Sequence, residues 1–198
     1  MMIKHIARWI SRVFHPFMIP IYALLVLLVL SPLGKLIPVS SQLMIWLTTI
    51  VAAIILPMLV ILILKHFGVL KKRNLDDRED RAWPLLALGV FLALGAFFLR
   101  LFPSTEIFSQ LLFITSIQVL LFAVITLYWK ISMHAMAWGE LCGLFLMLGP
   151  IFKWAFVLSL ICAGVVISSR LILRKHNGLQ VLAGFAQGVI VTMIFLSL

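Results

Sequence analysis

Seven apolar runs follow one another along the chain, at about residues 17–33, 42–64, 84–99, 107–129, 133–148, 152–173 and 179–196. A helix needs roughly 20 apolar residues to cross a bilayer, so each run is a candidate span, the fifth being short and closed by Gly149-Pro150. Pro84 fits the first turn of the third run. Ahead of the first run, Ile3, Ile6, Trp9, Ile10 and Val13 share one helical stripe, with Lys4, Arg8 and Arg12 off it. That pattern predicts an amphipathic helix lying in the membrane interface and ended by His15-Pro16. A signal peptide is not expected, because the first run ends in Ser31-Pro32-Leu33-Gly34-Lys35 without a small-residue cleavage site. The pattern as a whole predicts an all-α polytopic transmembrane helix bundle of six to seven spans. It forms a single integral membrane domain over 1–198, with residues 1–15 as the interfacial helix and 16–198 as the bundle.

Composition supports this reading: 64% of the 198 residues are hydrophobic, and mean hydropathy is +1.22. A soluble domain is about half apolar, and little length remains here for one. Net charge is +10. The bases stand at span ends, which points to anionic lipid or a phosphate headgroup as partner, and not to nucleic acid. Cys142 and Cys162 sit inside apolar runs and read as small core residues.

With seven spans, one membrane face receives Lys4, Arg8, Arg12, Lys65, Lys71, Lys72, Arg73, Arg78, Arg81, Lys130, Arg170, Arg174 and Lys175, and the other only Lys35, Arg100 and Lys153. The positive-inside rule makes the first face cytoplasmic. Setting aside Arg78, Arg81, Lys130 and Arg170 as possible phosphate ligands leaves nine against three, so the asymmetry stands.

Three polar clusters fall on that face. One is Asn74-Leu-Asp76-Asp77-Arg78-Glu79-Asp80-Arg81-Ala-Trp83-Pro84, the second is Lys130-Ile-Ser132-Met-His134, and the third runs from Ser169-Arg170 through Arg174-Lys175-His176 to Gln180. Arginine forks grip phosphate oxygens in pairs and lysine adds a point charge. Two histidines can divide nucleophile and acid–base work near neutral pH. Such a set suits phosphoryl transfer from a lipid phosphate without a metal or other cofactor.

These clusters resemble the three motifs of the type 2 phosphatidic acid phosphatase superfamily, whose members share a fold with vanadium haloperoxidases. The family's third motif is Ser-Arg, five residues, His, three residues, Asp; Ser169, Arg170 and His176 match it in identity and spacing. Ser132 and His134 match the Ser and His of the second motif, Pro-Ser-Gly-His. Arg81 followed by Pro84 resembles the first motif loosely. The resemblance implies that His176 attacks phosphorus to form a phosphohistidine and that His134 protonates the leaving oxygen. By the same resemblance Arg170, Arg81 and Ser132 hold the phosphoryl oxygens, with Ser169 beside them; Arg78 and Lys130, basic and adjacent, are added candidates. It further implies a bacterial cytoplasmic membrane as location. Gln180 stands where the family has Asp: its carbonyl can accept the Nδ1 proton of His176 but supplies no charge. Ile131 and Met133 replace the second motif's Pro and Gly, and Asn74 stands where the first motif has Lys.

Bland readings stand beside these. His134 and His176 occupy positions where interfacial histidines occur, and His5, His15 and His66 read as interfacial. Glu140 reads as a polar bundle contact. The acidic cluster around Asp76, Asp77 and Asp80 resembles the aspartate-rich signature of intramembrane prenyltransferases, but no second such cluster follows. A lipid-phosphate binding or transport protein without turnover is a further alternative.

Overall fold

A computed structural model describes residues 2–68 and 78–197, with side chains described outside 69–82. No strand occurs among the described residues, and six stretches are long and apolar enough to cross a membrane: Met2–Leu30, Val39–His66, Trp83–Arg100, Pro103–Tyr128, Pro150–Ile172 and Gly178–Ser197. The protein is an all-α integral membrane protein. Its helices are α1 (Met2–Val13), α2 (Ile19–Leu24), α3 (Val39–Ile50), α4 (Leu56–His66), α5 (Arg78–Arg100), α6 (Glu106–Tyr128), α7 (Met133–Met147), α8 (Lys153–Ile172) and α9 (Gly178–Ser197).

Prolines punctuate these elements as their missing amide requires. Pro16 opens a short 3₁₀ turn after α1, capped by His15, whose Nδ1 accepts the Phe17 amide at 3.3 Å. Before Pro57 the helix widens into a π turn over Val51–Ile55, because the ring displaces the carbonyl four residues back. Pro84 departs from the expectation of a first-turn proline. The helix begins at Arg78, so Pro84 lies inside α5 and the third run starts earlier than its apolar residues indicate. The structure divides into two compact units, one of residues 1–19 and 130–198, the other of 20–129.

In the first unit α7 is the central helix: every residue from Ala135 to Phe145 is buried. At 15 residues it is about 22 Å long, short of a 30 Å hydrocarbon core. Its neighbours are protein, which is why its length is not set by the bilayer. α9 runs beside it in the same direction, with their backbones in contact. The Ser132 amide donates to the Gln180 carbonyl at 3.1 Å. Further along, Gly139 lies against Phe185, and Gly143 against Val189 and Thr192. A Cβ at Gly188 would fall on the Met136 carbonyl, and one at Gly184 on the Ser132 backbone. Each helix thus carries a Gly-x-x-x-Gly pair, the spacing that lets helix backbones touch in a membrane.

α8 packs on α7, where Ser159 Oγ lies 3.3 Å from the Cys142 sulfur. α1 packs on α8 through its small residues, burying Ala7 and Ser11 while Ile3, Ile6, Trp9 and Val13 stay exposed. The amphipathic helix therefore keeps its apolar stripe outward, and a second, small-residue face docks it to the protein.

In the second unit α5 and α6 form an antiparallel pair clipped by buried hydroxyls. Ser109 donates to the Ala96 carbonyl at 2.7 Å, and Ser116 to the Gly89 carbonyl at 2.8 Å. The bonds join hydroxyls that would otherwise be unsatisfied in an apolar interior.

Candidate functional site

The site grows from the turn between α8 and α9. Arg174 takes a left-handed conformation, φ 53°, costing roughly 1 kcal/mol for a residue with a Cβ. Its amide donates to the Leu171 carbonyl at 2.9 Å, and the Lys175 amide to the Arg170 carbonyl at 3.1 Å. This is a Schellman closure of α8, made with arginine where glycine is usual. α9 then starts almost at once, with Asn177 as its cap. The Gln180 amide donates to Asn177 Oδ1 at 2.9 Å, and the Asn177 amide donates to Gln180 Oε1 at 3.1 Å. The reciprocal pair is a capping box, which satisfies two helix-end amides at once.

His176 lies between the two devices. Its Nδ1 is 3.2 Å from Gln180 Oε1. An amide oxygen only accepts, so Nδ1 carries the proton and the lone pair is on Nε2. Gln180 thus does both jobs open to it, closing the cap and fixing the tautomer of His176.

His134 stands in the first turn of α7, outside the six crossing stretches. Ser132 caps that helix, its buried Oγ accepting the Ala135 amide at 3.4 Å. Nε2 of His134 is 3.1 Å from the Ser11 carbonyl, so that nitrogen bears the proton. Burial, and after it the Arg170 guanidinium, hold the His134 pKa down to about 3. The imidazole is therefore neutral near pH 7. Arg170, His15 and His176 are the neighbours whose positive charge disfavours its protonation.

Ser11 ties the cluster together. Ser169 Oγ donates to the Val166 carbonyl at 2.7 Å, so the 2.9 Å contact between the two serines is a bond from Ser11 to Ser169. Nη1 of Arg170 approaches Ser11 Oγ at 3.5 Å. The His15 ring meets His134 edge-on, centroids 5.6 Å apart, and Trp138 of α7 packs on Phe14 at 5.4 Å. His15 is thus a half-buried neighbour of the site.

Of the residues singled out from the sequence, Ser132, His134, Ser169, Arg170, His176 and Gln180 all belong to the first unit, as does the half-buried Lys130 at the entry to α7. The hydroxyls of Ser132 and Ser169 are buried and serve helix ends and the Ser11 contact. The side chains of Arg78 and Arg81, and the acidic cluster from Asp76 to Asp80, lie outside the described residues. Glu140 and Cys142 are buried on α7. Ser11 and His15 were not foreseen; the one signal was the small pair Ala7 and Ser11, one helical turn apart. Among the described residues no three His, Cys, Asp or Glu side chains gather as a metal set. No family model, curated protein or solved structure matches the chain.

Proposed function

We propose that the protein is a membrane phosphatase of the type 2 phosphatidic acid phosphatase kind, hydrolysing a lipid phosphate or diphosphate through a phosphohistidine. The observation that carries the reading is the 3.2 Å contact between His176 Nδ1 and Gln180 Oε1, which favours the tautomer with its proton on Nδ1, the form that attack through Nε2 requires. It stands in one unit with Arg170 and His134, among basic groups that favour an anion.

In this mechanism His176 Nε2 attacks phosphorus, and the bond from phosphorus to the lipid oxygen breaks. That oxygen leaves with a proton from His134. Burial is the larger cause of the low His134 pKa; a bound phosphate dianion both offsets Arg170 and sets a negative charge beside the imidazole, so substrate binding raises that pKa toward protonation. Water then attacks the phosphohistidine, returning its proton to His134 and releasing inorganic phosphate. Arg170, Lys130 and the amides at the start of α7 hold the phosphoryl oxygens. We set this chemistry at the cytoplasmic face of a bacterial inner membrane, the side favoured by the charge count when all seven apolar runs are taken as crossings.

A second reading has a specific observation behind it. Gln180 Oε1 also closes the α9 cap, so its presence has a purely structural reason, and the site would then bind lipid phosphate without cleaving it. The test is phosphate release from phosphatidic acid in vesicles, with and without EDTA, by the wild type and by His176→Ala. Release that resists EDTA and disappears in the variant supports hydrolysis. Tight binding with no release supports the second reading, and release that persists in His176→Ala overturns the mechanism.

A further inference from the structure

We infer that the cleft between α1 and α8 takes the hydrocarbon chain of the lipid whose phosphate the site binds, an assignment that rests on the proposed function above. The cleft has a volume of about 420 Å³, within the range of ligand pockets. Ile6, Ala7 and Ile10 form one wall, and Ile161, Gly164 and Ser169 are part of the other. No charged side chain lines it. A cleft so apolar, on an apolar helix, excludes a headgroup or a polar peptide and accepts an alkyl chain.

Two features tie this chain to the site and not to bulk lipid. Ser169 belongs both to the cleft wall and to the polar cluster, where its hydroxyl meets Ser11 and the next residue is Arg170. From Ser169 the α8 wall extends to Leu160, nine residues or about 14 Å along the axis, farther than a headgroup reaches. Gly164 keeps the cleft open: a Cβ there would meet nothing within 4 Å. A bulky side chain at 164 therefore fills the cleft without straining the fold.

The test uses phosphatidic acid with a photoactivatable diazirine midway along one acyl chain, beside a phosphatidylcholine carrying the same chain, each in phosphatidylcholine vesicles. The two lipids carry the same chain, so an excess comes from the phosphate held at the site with the chain following it into the cleft. Labelling of α1 and α8 by the phosphatidic acid should exceed that by the phosphatidylcholine about tenfold, the ratio for one charge-assisted hydrogen bond. Gly164→Trp should remove the excess, while Leu158→Trp, at a position 60% exposed and outside the cleft, should leave it. Equal labelling by the two lipids, or an excess that survives Gly164→Trp, overturns the assignment. The two readings fail separately: an excess without phosphate release keeps the cleft and removes hydrolysis, and release without an excess does the reverse.

Discussion

Gln180 is the residue at which structure and chemistry can be separated by mutation. Its Oε1 accepts from the Asn177 amide at 3.1 Å and from His176 Nδ1 at 3.2 Å. Gln180→Ala removes both bonds. Asn177 is exposed, so water replaces the lost cap partner and the stability cost should fall near the low end for caps, about 0.5–1 kcal/mol. His176 loses the group that fixes its tautomer. A neutral hydrogen bond is worth about 1 kcal/mol, so phosphate release should fall about five- to tenfold. Gln180→Glu keeps the length and the capping box, in which glutamate is a usual member. Its charge strengthens the bond to His176 to about 1.5–3 kcal/mol. Release should then rise several-fold, and the acid limb of the pH profile should move to higher pH because the carboxylate favours imidazolium. The assay is phosphate release across pH on protein whose thermal unfolding is measured in the same detergent. Gln180→Ala that lowers stability and leaves release unchanged would show that Gln180 only caps α9, and the orienting role would be withdrawn.

Two further outcomes follow from the fold and from His134. Gly188→Leu drives a side chain into the Met136 carbonyl and should abolish folded, monodisperse protein, whereas Gly164→Leu should leave yield and Tm unchanged; size-exclusion profiles and thermal unfolding decide this. The pKa of His134 is lowered to about 3 in the folded chain, so below about 6.5 the unfolded chain binds the extra proton and stability falls with acidification. At most one proton is involved, about 1.4 kcal/mol per pH unit between roughly pH 6.5 and 3, and His134→Gln should flatten the decline in Tm from pH 7 to 5.

Much of the fold is written in the apolar runs, because a bilayer sets the length of a crossing helix. The limits of α6, α8 and α9 fall within two residues of their runs. α7 is the instructive exception. Its run is too short to span because protein encloses it, and the sign of that enclosure, glycines four apart at 139 and 143 and at 184 and 188, is a pattern within two helices whose pairing the sequence does not state. The start of α5 was misplaced because Pro84 reads as a helix opener, while the backbone absorbs it one and a half turns in. At the site, Ser169, Arg170 and His176 were legible from spacing, and the reach of Gln180 to His176 follows from their being one turn apart. Asn177-Gly-Leu-Gln180 also spells a capping box in plain sequence. Ser11 and His15 were not legible. They join the site only by contacts with residues more than a hundred positions away, which no local pattern encodes.

The central claim is that His176 becomes covalently phosphorylated. The direct measurement incubates the purified protein with lipid phosphate labelled on phosphorus, quenches it in base, and maps the label by peptide mass spectrometry. The account predicts one acid-labile phosphoryl group on the peptide containing His176, missing in His176→Ala. Label on any other residue, or phosphate release with no labelled His176, contradicts it.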